Sequence, residues 1–139
     1  MISRTVSIAA LLLGLVVVGG CQTTGGVSES PSNAPVRKEE AVKVRAQARW
    51  DALLGKDFNK AFGYISPTGR ATLPMEVFTG RLAGSVWNAA KVESVSCEAE
   101  ICDVKIAITY PLLPGRPHTG VFEEKWILEQ GQWWLVYRG

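Results

Sequence analysis

The chain has 139 residues, 47% of them hydrophobic, and a formal net charge of +2 at pH 7. Nucleic-acid-binding proteins usually carry a strongly basic face, so this near-neutral balance argues against that class. The length allows one folded domain with a single core rather than two.

The chain opens with a short apolar segment that ends at a cysteine. Arg4 gives the segment a basic start, and residues 6–18 form an apolar run of 13 residues. A membrane-spanning helix needs about 20 such residues. A basic start, a short apolar run and small residues at its end are typical of a secretory signal peptide, which we predict for residues 1–20. Its removal leaves 14 basic side chains against 13 acidic ones, because Arg4 is lost from the 15.

The end of this segment resembles the lipobox of bacterial lipoproteins through Val18, Gly19, Gly20 and Cys21. The resemblance implies that the Cys21 thiol receives a diacylglycerol and that the chain is cut just before it. Several acyl chains hold a protein stably on a membrane surface. Gln22 follows the cysteine where aspartate would mark inner-membrane retention in the enteric pattern, so we expect a lipid-anchored protein of the outer membrane facing the periplasm. An uncleaved anchor is the alternative.

A polar stretch follows, and it predicts a linker. Residues 23–36 are rich in Ser, Gly, Pro, Asn and Thr and have almost no large apolar side chains. Such a composition cannot bury enough surface to offset its ordering entropy. We therefore predict a lipidated flexible tether over residues 21–36 and a folded domain over residues 37–139.

The two remaining cysteines, Cys97 and Cys102, predict a disulfide. Exported compartments are oxidising, and four intervening residues suit a hairpin that brings two cysteines within bonding reach. A zinc site is the sharper alternative, but two thiols and the distant His118 do not make a ligand set. Catalytic dithiol chemistry is weaker still, because the spacing is not the two-residue motif. No cofactor or metal is expected.

Helical periodicity begins at Arg37, and capping residues mark the predicted starts of the helices that follow. One predicted helix face carries Val42, Ala46, Trp50, Leu53 and Leu54, with Lys43, Arg45, Gln47 and Arg49 mostly on the other. Asp57 predicts the cap of a second, short helix. Ser66 and Pro67 predict the start of a helical turn, and Pro74 predicts the start of another helix.

After Ser85 the period changes to two, which indicates strands. Cys102, Val104, Ile106, Ile108 and Tyr110 would share one face of a half-buried strand. The sequence PGRPHTG is expected to break this strand, and a tight turn over residues 129–132 predicts a hairpin between two aromatic-rich strands. Helices followed by an antiparallel meander define an α+β plan.

This order resembles the nuclear-transport-factor-2-like superfamily, which includes ketosteroid-isomerase-like and SnoaL-like proteins. The resemblance covers about residues 38–138 and is carried by the amphipathic first helix, by Gly55-Lys56-Asp57-Phe58 and by Gly131-Gln132-Trp133. It implies a cone fold, in which N-terminal helices pack on a curved antiparallel sheet. That fold hosts enzymes, binders and scaffolds alike, so it fixes architecture better than activity.

Glu124 is the one weak catalytic candidate, because Phe122, Trp126 and Leu128 share its predicted strand face. A carboxylate among apolar groups inside a cone resembles the base of ketosteroid-isomerase-like enzymes, and Asp51 and Tyr64 are possible companions. The alternative is an ordinary ion pair across the sheet with Lys105 or Arg138. His118, between turn residues, is expected to be a solvated loop histidine.

Adjacent Trp133 and Trp134 must point to opposite faces of a strand, so one is expected in the core and the other on the outer face. An exposed tryptophan there marks a contact surface, unless a crossing loop over residues 111–120 covers it. We therefore favour a membrane-tethered accessory domain without catalysis that holds a protein partner or forms a homodimer. The alternative is a small-molecule-binding protein or an isomerase- or dehydratase-like enzyme that uses the cone cavity.

Overall fold

The computed structural model describes residues 33–139, with side chains described from Arg37 onward. The described chain forms four helices followed by four strands. In order they are α1 (Asn33–Leu54), α2 (Phe58–Phe62), α3 (Pro67–Thr72), α4 (Met75–Leu82), β1 (Ala89–Glu98), β2 (Ile101–Leu113), β3 (Arg116–Glu129) and β4 (Gln132–Val136). The predicted signal peptide and residues 21–32 of the predicted tether lie outside the described residues.

Helix α1 packs its predicted apolar face against the sheet. Val42, Ala46 and Leu53 are fully or almost fully buried there. The helix begins at Asn33, so it includes the last four residues of the segment predicted as a tether. The opposite face was predicted to be polar, but it is not fully exposed to solvent, because Arg49 is also buried.

The three short helices start where the capping residues predict. The Asp57 side chain accepts a hydrogen bond from the Lys60 N–H, and the Ser66 hydroxyl accepts one from the Gly69 N–H. Pro74 caps α4, whose Phe78 is buried against Phe62 and Tyr137. The caps formed by Asp57 and Ser66 satisfy amide groups at the helix N-termini that have no partner within the helix, whereas Pro74 makes no side-chain hydrogen bond at the start of α4.

The strands form one antiparallel sheet in the order β1-β2-β3-β4. Alternate residues of β2 are buried from Cys102 to Ile108, as the period of two predicts. The β3–β4 hairpin turns at Gln130 and Gly131, both of which have positive φ. Such a two-residue turn matches the twist of the two flanking strands, so it favours a tight hairpin.

The expectation that PGRPHTG breaks the strand is wrong for most of its length. β2 continues to Leu113 and β3 starts at Arg116, so only Pro114 and Gly115 form the turn. Pro111 and Pro117 lie opposite each other in the ladder, beyond the last residue pair that β1 makes with β2, Ala89 with Thr109. Residues 111–120 therefore form the end of a long hairpin and do not cross over the sheet.

Helix α1 covers the free edge of β1 with its side chains. The Gln47 amide accepts a hydrogen bond from the Val92 N–H at 2.9 Å and donates one to the Ala90 carbonyl at 3.0 Å. Glu39 accepts one from the Cys97 N–H at 3.4 Å. These side chains take the place of a neighbouring strand, so this edge is closed to further pairing.

The opposite edge, that of β4, is closed by the segment between α2 and α3. The Leu135 N–H donates to the Tyr64 carbonyl at 2.8 Å, and the Leu135 carbonyl accepts from the Ser66 N–H at 3.0 Å. Arg45 Nε donates to the Trp133 carbonyl at 2.9 Å. The two outer strands are therefore both protected from edge-to-edge association.

Helices at the N-terminus packed on a curved four-stranded antiparallel sheet make an α+β cone fold, as predicted. The core lies between α1 and the inner face of the sheet, with Trp126 as its largest fully buried side chain. Among the helices of residues 33–139, none combines the length and apolarity required to cross a membrane.

Candidate functional site

Glu124 lies inside the cone, where three donors surround its carboxylate. Oε1 accepts from Arg49 Nη1 at 2.5 Å and from Trp50 Nε1 at 2.9 Å, and Oε2 accepts from Trp126 Nε1 at 3.0 Å. The Arg49 and Glu124 side chains are only 6% and 11% exposed. Helix α1 therefore supplies two of the three donors to a carboxylate from β3, and these two contacts join helix to sheet.

This arrangement replaces both sequence-based interpretations of Glu124. The expected ion pair across the sheet is wrong, because Lys105 pairs with Glu123 at 3.8 Å and Glu124 pairs with Arg49. A general base needs an oxygen within reach of a substrate proton. Both oxygens of Glu124 already accept hydrogen bonds from protein donors, so its geometry fits a structural ion pair better than a base.

A cavity of about 270 Å³ remains beside this pair, at the end of β4. Trp50, Phe122 and Tyr137 contribute aromatic lining, and Arg49 contributes its guanidinium. The buried Nε of Arg49 has no hydrogen-bond partner within the described chain. The volume lies just below the range of ligand pockets, which hold about 300–1,000 Å³.

The proposed companions of Glu124 lie elsewhere. Asp51 is exposed on α1 and accepts a hydrogen bond from Gln47 at 2.9 Å. Tyr64 is half-buried, with its ring beneath the Arg45 guanidinium. His118 is exposed on strand β3 beside Tyr110, and not in a loop. Neither Asp51 nor Tyr64 therefore joins Glu124 as a second catalytic group.

The two described cysteines form the predicted disulfide. Cys97 and Cys102 face each other in the β1–β2 hairpin, with Cα atoms 4.0 Å apart. Within residues 33–139 no group of three or more His, Cys, Asp or Glu side chains is arranged to hold a metal ion. Cys21, the predicted lipidation site, lies outside the described residues.

The paired tryptophans divide as the strand alternation requires. Trp133 is the core member and is only 7% exposed, so it offers no contact surface. Trp134 lies on the other face and is half-buried, with the guanidinium carbons of Arg45 and Arg70 at 5.6 and 5.4 Å from its ring centre. Trp134, the tryptophan expected to be exposed, is therefore flanked by two arginines. The crossing loop that was the alternative does not form.

An open surface appears instead along the far half of β3. β4 pairs only with residues 125–129 of β3, so residues 117–123 have a strand neighbour on the β2 side alone. Alternate residues of an antiparallel strand direct their backbone groups to the same side. The N–H and C=O groups of Thr119, Val121 and Glu123 therefore lie on the open side of β3. They continue the row of backbone groups that pairs with β4 further along the strand.

Apolar side chains surround this open edge. Leu112, Leu113, Val121 and Phe122 are 63%, 57%, 58% and 47% exposed. Four of the eight large exposed hydrophobic side chains of the described chain therefore lie at the far end of the β2–β3 hairpin, within residues 112–122. We name the open edge of residues 117–123 together with these four side chains the hairpin arm. Sequence reasoning missed it because the prolines and glycines of PGRPHTG indicated a loop.

Comparison with known proteins supports the fold. No known family model matches the chain, and no curated protein matches it. A solved SEC-C motif containing protein from Rhodopseudomonas palustris aligns with a TM-score of 0.53 and 17% identity, covering 64% of this chain and 70% of that one. An NTF2-like transpeptidase from Campylobacter jejuni aligns with a TM-score of 0.54 and 10% identity, covering 70% of this chain and 98% of that one. At these identities the likeness defines a nuclear-transport-factor-2-like (NTF2-like) cone fold and no activity.

Proposed function

We propose that this chain is a lipid-anchored accessory domain of the bacterial cell envelope that binds a protein partner through the hairpin arm. The partner would add an extended segment to the open edge of β3 by main-chain hydrogen bonds, a recurring mode of peptide recognition. The observation that carries the proposal is that both outer edges of the sheet are covered while residues 117–123 of β3 are open.

The direction of the hairpin supports this role. The N-terminal part of α1 lies beside the β1–β2 turn, where Lys38 Nζ donates to the Ala99 carbonyl at 3.2 Å. β2 then runs 13 residues away from this turn, a span of about 40 Å. A chain held to a membrane by lipid on Cys21 would therefore present the hairpin arm at the end farthest from its tether.

Two further features support the proposal. The disulfide between Cys97 and Cys102 is of a kind that persists in oxidising, exported compartments. Both oxygens of Glu124 already accept hydrogen bonds from protein donors, so the cone interior offers less to a catalytic hypothesis than the hairpin arm offers to a binding one.

The first test replaces Val121 by lysine in the full chain. A lysine on an edge strand opposes strand addition, so we expect capture of the envelope partner from solubilised membranes to fall about tenfold or more, the loss typical of one central interface contact. Co-purification of the partner with tagged wild-type and variant chains measures this.

Val86→Lys is the matched control, because Val86 is 61% exposed, against 58% for Val121, and lies before β1. Both variants should unfold at the temperature of the wild-type chain. Equal recovery of the partner with both variants would contradict docking on this edge.

A further inference from the structure

The cavity of about 270 Å³ adjoins the open edge of β3 at the point where β4 ends. Val136 is the last residue of β4 to pair with β3, opposite Lys125, and the chain after it makes no further pair with that strand. Residues 122–125 of β3 and residues 135–138 both line the cavity. A segment added to the open edge would therefore pass beside the cavity.

Arg49 brings unused hydrogen-bond donors to this cavity. Its side chain is only 6% exposed, and its Nη1 donates to Glu124. Its buried Nε has no acceptor, and Nη2 makes no hydrogen bond within the described chain. Nη1 lies on the Cδ side of a guanidinium group, so the Nε–H and one Nη2–H point the same way along the opposite edge and form a fork. A buried donor without an acceptor is destabilising, so an occupant that brings an oxygen to this fork would be favoured.

The charges that line the cavity balance one another, which favours an uncharged occupant. Three are positive and three negative: Arg49, Lys125 and Arg138, and Asp103, Glu123 and Glu124. Ion pairs within the described chain engage five of these six, and the sixth, Arg138, is exposed to solvent. A charged group would lose its hydration here without meeting a buried, unpaired countercharge. An amide oxygen is neutral and has two lone pairs, so it can accept both bonds of the fork.

We propose that this cavity receives the side-chain amide of an asparagine or glutamine in the segment that the partner adds to β3. The inference rests on the proposed function and extends it to the choice of partner. A residue of the added strand directly opposite Phe122 would share its face of the sheet, and Phe122 lines the cavity. In strand addition, main-chain hydrogen bonds give affinity and pockets for alternate side chains give specificity.

The first experiment uses the full chain in detergent micelles, with benzamide as the probe, because benzamide is an uncharged amide on a flat apolar ring. We expect a saturable shift of the Trp50 indole N–H resonance in NMR spectra, since Trp50 lines the cavity. Benzoate, which has the same ring and a charged carboxylate, should bind about tenfold or more weakly. The absence of a saturable shift with benzamide, or benzoate binding as tightly as benzamide, would overturn the proposal.

Arg49→Lys tests the fork itself. Lysine keeps the positive charge that pairs with Glu124 but lacks the planar fork, so the affinity for benzamide should fall about tenfold or more. Phe122→Ala is the second variant, because Phe122 is 47% exposed and its removal leaves the buried ion pair in place. Val77→Ala is the matched control, since Val77 is 42% exposed on α4 and does not line the cavity. The proposal fails if Arg49→Lys, or Phe122→Ala where Arg49→Lys does not fold, binds benzamide as tightly as the control.

Capture of the partner separates this inference from the proposed function. Loss of the partner by both Val121→Lys and Arg49→Lys, together with the benzamide result, would support both. Loss by Val121→Lys alone would overturn the side-chain pocket and leave docking on β3 intact. Retention of the partner by Val121→Lys would contradict the docking, and with it the inference that depends on it.

Discussion

Replacing Glu124 by alanine is expected to lower the free energy of unfolding by about 3–5 kcal/mol, the usual cost of removing one partner of a buried ion pair. The change leaves the Arg49 charge buried without its acceptor. It also removes the acceptor of the indole N–H groups of Trp50 and Trp126. For a domain of about 100 residues, this loss corresponds to a fall in Tm of more than about 10 °C, which thermal unfolding followed by circular dichroism measures.

Glu123→Ala is the control, because Glu123 is the adjacent residue and its side chain is 72% exposed. A surface ion pair contributes about 0–1 kcal/mol, so the control should unfold almost as the wild type does. The double variant Arg49→Met, Glu124→Leu should recover most of the lost stability, since apolar residues of similar volume often replace a buried pair without cost. Equal Tm values for Glu124→Ala and Glu123→Ala would contradict the structural role of the pair.

Replacing Cys21 by serine is expected to release the protein from membranes completely. The proposed anchor is thioether-linked lipid on the Cys21 sulfur together with an acylated amino terminus, and serine has no thiol to modify. The apolar run of residues 6–18 is too short to hold the chain across a bilayer comfortably. Fractionation of cells into membrane and soluble pools, with the intact mass of the protein in each pool, measures the outcome.

Ser28→Ala, in the predicted tether, is the control for this change and should leave the protein in the membrane pool with the mass of an acylated Cys21 chain. A Cys21→Ser protein that stays with the membrane would contradict lipid anchoring. So would a wild-type protein of full-length, unacylated mass.

Much of the fold follows from signals that are local in the sequence. The spacing of Val42, Ala46 and Trp50 places three side chains on one helix face, and that face is buried. Asp57 and Ser66 cap helices because their side chains accept hydrogen bonds from amides three residues away. In each case the deciding interaction spans only a few residues, so periodicity and capping rules are sufficient to predict it.

Such local rules could not predict the ion-pair partner of Glu124. Arg49 is 75 residues away in sequence and belonged to a helix face that looked polar. The pairing depends on how α1 lies across the sheet, and that orientation arises from packing of the whole core. The sequence does show an arginine at this position of α1. Periodicity alone, however, does not distinguish a buried arginine from a solvated one.

The hairpin arm was missed for a different physical reason. Pro117 has the same strand phase as Thr119 and Val121, so its missing N–H falls on the open side and removes no ladder hydrogen bond. Proline is tolerated in a strand at such a position. This segment therefore has the composition of a loop and the geometry of a strand. Only its pairing with the neighbouring strand, β2 with β3, shows that it is a strand.

The most direct test of the central proposal is photo-crosslinking in living cells of the native host, with a benzophenone amino acid placed at Val121 and, as the control, at Val86. The account predicts a discrete adduct with one envelope protein from position 121 and none from position 86. An adduct at twice the mass of the chain would assign the edge to a second copy and would contradict the proposed partner. No adduct, or the same adducts from both positions, would contradict docking on the open edge of β3.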